Sequence, residues 1–196
     1  VTSSNTVAGQ AAAGSGVGPG AIGYVLGITK AYTTRVGEGP FPTEQDNEVG
    51  ETIRRTIGRL GGREFGATTG RQRRCGWLDG VALRYTARLG AVDSLAVSVL
   101  DVLGAFETIK VCTAYRLNGQ TLTEFPSSAQ TLARVEPVYE ELEGWRCDIS
   151  EARSWGELPP QARAYLEFME ELAGAPVEFV SVGPKRTQVI ERRVHG

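Results

Sequence analysis

The sequence predicts an α/β fold, and three observations carry that reading. Helix-period and strand-like segments alternate along the chain instead of falling into blocks. The apolar run from Ser94 to Leu103 has the composition of a buried central strand. Near the end, an amphipathic stretch, Pro159 to Leu172, is followed by a strand-like stretch, Val177 to Val182.

Taken in order, residues 1–20 are rich in Gly, Ala, Ser and Thr and read as a flexible linker. Ile22 to Val36 reads as a short helix followed by a strand, the strand marked by the alternation of Ile28, Lys30, Tyr32 and Thr34. Gly37-Glu38-Gly39-Pro40-Phe41-Pro42 interrupts regular structure. Val49, Ile53, Ile57 and Leu60 recur at helical spacing from Glu48 to Leu60, and Gly61-Gly62 closes that helix. Asp79 is placed to cap a further helix carrying Val81, Leu83, Tyr85 and Leu89. Ile109 to Arg116 and Thr121 to Phe125 flank Leu117-Asn118-Gly119-Gln120, an Asn-Gly hairpin signal. In the last helix Pro159 stands early, and Ala162, Tyr165, Leu166, Met169 and Leu172 share one face before Gly174.

The 196 residues suffice for one domain with a sizeable core. A net charge of −2 argues against nucleic-acid or membrane-surface binding by bulk electrostatics. No apolar run is long enough to cross a bilayer, and none resembles a signal peptide. Cys75, Cys112 and Cys147 are odd in number and far apart, which fits neither a disulfide framework nor a zinc site and suits a reducing cytoplasm. The single histidine, His195, stands one residue from the end and offers no partner for a serine or cysteine nucleophile. The chain opens on Val1 in a Thr/Ser-rich stretch, a start that suggests a fragment or a processed chain.

Four segments are candidates for chemistry. Gly66-Ala67-Thr68-Thr69-Gly70-Arg71-Gln72-Arg73-Arg74 combines backbone freedom, hydroxyl donors and planar guanidinium forks, a set that grips carboxylates and phosphates; a solvated basic loop is the alternative. Ser181-Val182-Gly183-Pro184 follows a strand, and ligands bind at the carboxyl ends of strands in open α/β sheets; an ordinary turn is the alternative. Asp101 interrupts an apolar run, so its carboxylate needs a partner: it caps a turn or accepts from a donor-rich ligand edge such as guanine N1–H and the 2-amino group. Thr2-Ser3-Ser4-Asn5-Thr6 is dense in hydroxyls and wraps a phosphate or serves as linker.

The ordered set of these strings resembles the adenylosuccinate synthetase family. The matching pieces are Val1 to Thr6, Thr34 to Glu44, Glu64 to Arg71, and Arg73 to Asp79. Leu100 to Leu103, Tyr115 to Gly119, Pro137 to Tyr139 with Gly144-Trp145, and Ser181 to Pro184 follow in the family's order. The resemblance implies an α/β fold related to P-loop NTPases, with a mixed sheet, flanking helices and a β-hairpin. It implies GTP-dependent, Mg2+-assisted ligation of IMP and L-aspartate to adenylosuccinate, on the route from IMP to AMP, by a cytoplasmic homodimer. By resemblance, Thr2, Val36, Ala67, Thr68, Thr69, Gly70, Arg71, Gln72 and Arg73 serve aspartate and IMP. Arg73, Val99, Leu100, Asp101, Ser181, Val182 and Gly183 serve GTP. Residues 1–20 become a substrate-proximal segment, 64–79 the aspartate and IMP loop, and 94–196 the guanine-nucleotide part.

Two departures follow. Val99 stands where the family usually has Lys, two residues before the guanine-binding Asp. The family's Gly-rich phosphate loop, general-base Asp, magnesium site and general-acid His have no counterpart, and His195 is wrongly placed to substitute. The expectation is therefore a carboxy-terminal portion, 1–196, inactive without the amino-terminal part of the same enzyme. The alternatives are a stand-alone nucleotide- or anion-binding module and a related synthetase using another purine nucleotide.

Overall fold

The computed structural model describes residues 6–59, 64 and 72–192. Its main sheet has the order β1 (Leu26–Lys30), β5 (Ser94–Ser98), β9 (Val177–Ser181) and β10 (Val189–Glu191). The first three strands are parallel, with Leu26 opposite Ser94 and Val97 opposite Val180, and β10 returns antiparallel to β9. This is the α/β architecture the alternation predicts: parallel strands need crossovers, and long connections containing helices supply them.

A second sheet is built on β6 (Thr108–Leu117). It pairs with β8 (Glu136–Glu143) along most of its length, with β7 (Gln120–Leu122) in a hairpin, and in parallel with β4 (Leu78–Asp79). Asn118 and Gly119 both have positive φ, 50° and 81°, as a two-residue type I′ connection requires. A small ladder joins β2 (Thr33–Arg35) to β3 (Arg74–Gly76).

Helices α2 (Glu48–Arg59), α3 (Gly80–Gly90) and α5 (Pro160–Ala173) stand where the periodicity places them. Asp79 caps α3 by accepting from the Ala82 N–H at 3.0 Å, and Gly174 closes α5 in the left-handed conformation. The core gathers Leu95, Val97, Leu100, Val102, Leu103 and Leu166. A smaller cluster of Val81, Cys112, Tyr115 and Val135 lies beside it.

Three expectations are corrected. Residues 8–15 are not linker but a helix, α1 (Ala8–Ser15), ended by Gly16 at φ 76°; alanines favour helix, and Ala12 is buried. Ile22 starts no helix: one 3₁₀ turn precedes it, and two strands, β1 and β2, follow, separated by Ala31-Tyr32. Ser94–Leu103 is not one strand, because β5 stops at Ser98 and a 3₁₀ helix runs from Leu100 to Ala105. Both halves of that run are apolar because both enter the core, so composition alone does not separate them. Glu136–Glu143, to which the sequence reading gave no element, forms β8 despite four glutamates, since its register against β6 satisfies the backbone while those side chains face water.

Candidate functional site

The parallel strands β1, β5 and β9 end on the same side of the main sheet, and two of the predicted segments, at Asp101 and at Ser181–Gly183, lie there. Lys30 of β1 is opposite Ser98 of β5. The Ala31 N–H donates to the Ser98 carbonyl at 2.9 Å, and the Ser98 hydroxyl donates to the Thr29 carbonyl at 3.0 Å. Beyond Ser98 the chain turns through Val99 at φ 57°. A β-branched residue is disfavoured in that left-handed region, and such strain gathers at ligand sites.

The turn delivers Asp101 into the first turn of the 3₁₀ helix. Its Oδ1 is buried and, among the described residues, accepts no hydrogen bond. Burial pushes the Asp101 carboxyl above its ordinary range, and the nearby Asp148 carboxylate pushes it further, against the backbone N–H groups of Asp101 and Val102. A buried carboxylate oxygen without a donor is costly unless a ligand supplies one. Leu100 is fully buried.

Ser181, Val182 and Gly183 continue from β9, the neighbour of β5. The Ser181 hydroxyl donates to the Gly183 carbonyl at 3.0 Å. Val182 is buried, with its N–H on the Gln188 carbonyl at 2.9 Å. A Cβ at Gly183 would lie 2.5 Å from the Gln188 side-chain amide, so any side chain here would have to displace that amide. The structure thus brings together Val99–Asp101 and Ser181–Gly183, which lie some 80 positions apart in sequence.

The described part of the arginine segment reaches the carboxyl end of β1 through Glu64, which accepts from both Lys30 and Arg73. Thr2, Ala67, Thr68, Thr69, Gly70 and Arg71 lie outside the described residues, as does His195. Val36, Gln72 and Arg73 are within them. Arg35 is opposite Arg74 in the β2–β3 ladder, so Val36 and Arg73 follow side by side at its end. Val36 is 63% exposed there. Gln72 and Arg73 line a polar cleft of about 450 Å³ together with Gly37, Gln45 and Arg54.

Arg74 departs from its expected part. Its guanidinium pairs through two nitrogens with Glu44, donates to the carbonyls of Gly37 and Gly39 at 3.2 and 2.8 Å, and stacks over Phe41. The contacts with Glu44 hold its proton more firmly than usual, although burial works the other way. Arg74 therefore fixes the 37–44 turn and is not free to clamp a ligand. Gly76 allows that turn to dock, since a Cβ there would sit 2.1 Å from the Thr43 carbonyl oxygen.

Glu64 is the residue that sequence reasoning left without a role. It is 2% exposed and accepts from Lys30 Nζ at 2.6 Å, the Tyr32 hydroxyl at 2.7 Å and Arg73 at 3.1 Å. Burial alone would raise its pKa, but these donors hold it below the ordinary carboxylate value. Lys30 in a strand that ends at the sheet's ligand-binding side was the available signal; the pairing itself spans 34 positions and leaves no local trace.

The sequence profile of adenylosuccinate synthetase matches residues 1–190. The chain belongs to the adenylosuccinate synthetase family. It is similar to the fully ligated adenylosuccinate synthetase of Plasmodium falciparum, at 37% identity and a TM-score of 0.91. That match covers 98% of this chain and 45% of the relative, so the chain spans a little under half the relative's length. Succinoaminodeoxyadenylate synthetase of cyanophage S-2L overlaps at 16% identity and a TM-score of 0.49, over 97% of this chain and 40% of that one, which is too distant to build on. The adenylosuccinate synthetase fold accounts for the mixed sheet and flanking helices seen here.

Among the described residues no three carboxylate, imidazole or thiol side chains come together to hold a metal ion. Nor is any described helix long and apolar enough to cross a membrane.

Proposed function

We propose that this chain supplies the aspartate and guanine contacts of an enzyme that joins IMP and L-aspartate at the expense of GTP. The observation that carries the reading is the buried Oδ1 of Asp101, without a donor, at the carboxyl end of β5 and beside Ser181–Gly183. Guanine presents N1–H and a 2-amino group, two donors on one edge, and a carboxylate presents two acceptors. Adenine lacks that edge, so Asp101 selects GTP over ATP.

Aspartate brings two carboxylates, and a phosphoryl group in transfer spreads negative charge over its oxygens. Guanidinium forks and backbone N–H groups answer both needs without a nucleophile. Gln72 and Arg73 line the cleft, Val36 precedes its Gly37, and Ala67 to Arg71 serve aspartate with them. Thr2 reaches IMP. The phosphate loop, general base, general acid and magnesium ligands come from residues outside this chain, in a homodimeric enzyme of the cytoplasm.

The free edge of β1 supports that division. Ile28 is 80% exposed, and Leu26 and Tyr24 are exposed with it. A parallel edge strand with large apolar side chains calls for a covering segment.

The test is to assay the complete polypeptide that carries this sequence, and this chain alone, for adenylosuccinate formation from IMP, aspartate and GTP. The complete polypeptide should turn over with GTP and far less with ATP, and the chain alone should not. Equal use of ATP, or no product dependent on all three substrates, would overturn the assignment.

A further inference from the structure

The connection between Glu64 and Arg73 is a double one. The Arg73 N–H donates to the Glu64 carbonyl at 2.8 Å, and the Arg73 guanidinium donates to Glu64 Oε2 at 3.1 Å. The two bonds make a hydrogen-bonded neck between Glu64 and Arg73. The neck is anchored from its far side, because Oε1 accepts from both Lys30 Nζ and the Tyr32 hydroxyl. Lys30 ends β1, and Tyr32 is almost wholly buried in the core. The carboxylate is thus held by the sheet with one oxygen and holds Arg73 with the other.

We propose that Glu64 is a positioning residue, which fixes the Arg73 guanidinium at the cleft. The inference rests on the reading of Arg73 as a substrate contact. Arg73 is 30% exposed on its side chain, so one part of the guanidinium faces Glu64 while another stays open to the cleft. An arginine has many rotamers to lose on binding an anion, and a buried carboxylate that has already selected one removes that loss.

Electrostatics and positioning predict opposite results for Glu64→Gln. Around the neck Lys30 and Arg73 carry two positive charges against one negative charge. Removing the negative charge makes the cleft more positive and, by Coulomb attraction alone, should tighten binding of an anionic substrate. Loss of positioning should weaken it.

The experiment uses the complete enzyme carrying this chain, with aspartate, IMP and GTP varied in turn for wild type, Glu64→Gln, Arg73→Leu and the double variant. Glu64→Gln should raise, by about tenfold, the Michaelis constant of the same substrate that Arg73→Leu raises. In the double variant it should add less than a factor of about two. Glu64→Asp keeps the charge but shortens the reach, and should shift the same constant in the same direction if Glu64→Gln does not fold. Unchanged or lowered Michaelis constants, or effects that multiply in the double variant, would overturn the positioning role and leave the site reading intact. If Arg73→Leu itself moves no substrate constant, the substrate contact falls, and the role of Glu64 falls with it.

Discussion

Tyr115 donates its hydroxyl to Asp79 Oδ2 at 2.6 Å, deep in the smaller core cluster, while Asp79 Oδ1 caps α3. The pair ties the central strand of the second sheet to the helix that follows the arginine segment. Tyr115→Phe keeps the ring and removes the donor, which leaves a carboxylate oxygen buried without it. The variant should lose about 1–3 kcal/mol of stability, read from its denaturant midpoint at unchanged slope. A loss within about 0.5 kcal/mol would show the bond to be incidental.

Asp79 and Glu64 should respond to pH with opposite sign. Burial raises the Asp79 carboxyl, against hydrogen bonds from Tyr115 and the α3 backbone. Its contribution is therefore fully present below the unfolded pKa of about 3.9 and is lost as pH rises through the folded value. Glu64 is lowered by Lys30, Tyr32 and Arg73 in spite of burial. Its contribution is present above the unfolded pKa of about 4.3 and is lost as pH falls through the folded value. Melting temperatures across the acid range should show Glu64→Gln flattening the acid-side loss and Asp79→Asn steepening it. The reverse assignment would contradict both readings.

Asp101→Asn should weaken GTP far more than IMP in the complete enzyme. The amide would place a donor against guanine's own donors, a mismatch of about 1–3 kcal/mol. The wild-type Michaelis constant for GTP should also begin to rise on acidification at a pH above the ordinary aspartate range, because burial and Asp148 raise this carboxyl. That rise should be absent in the variant. Equal changes for GTP and IMP would remove Asp101 from the guanine site.

Arg71 lies outside the described residues, and its prediction rests on chemistry and resemblance. Arg71→Leu should raise the aspartate Michaelis constant by about 30- to 1,000-fold, as loss of a charge-assisted bidentate contact of about 2–4 kcal/mol requires. Arg71→Lys should rescue only part, since an ammonium does not reproduce the planar fork. A change within twofold for Arg71→Leu would refute the clamp.

The sequence alone determined whatever is encoded locally. The periodicity of Glu48–Arg59 and Pro160–Ala173, the Asp79 cap, the Asn118-Gly119 turn and β9 all follow from nearest neighbours along the chain. Family membership was legible too, because ordered strings survive without coordinates. Only the tertiary structure decided which polar groups meet. Arg73 and Arg74 are neighbours with the same side chain and both line the cleft, yet Arg74 is engaged by Glu44, thirty positions away, and Arg73 by Glu64, nine positions away. Ser94–Leu103 reads as one strand until the core is assembled, when Val99 turns the chain and leaves the Asp101 Oδ1 without a donor. The reason is physical: helix periods and turns depend on torsions a few residues apart, whereas burial and ion pairing depend on which distant segments the sheet brings together.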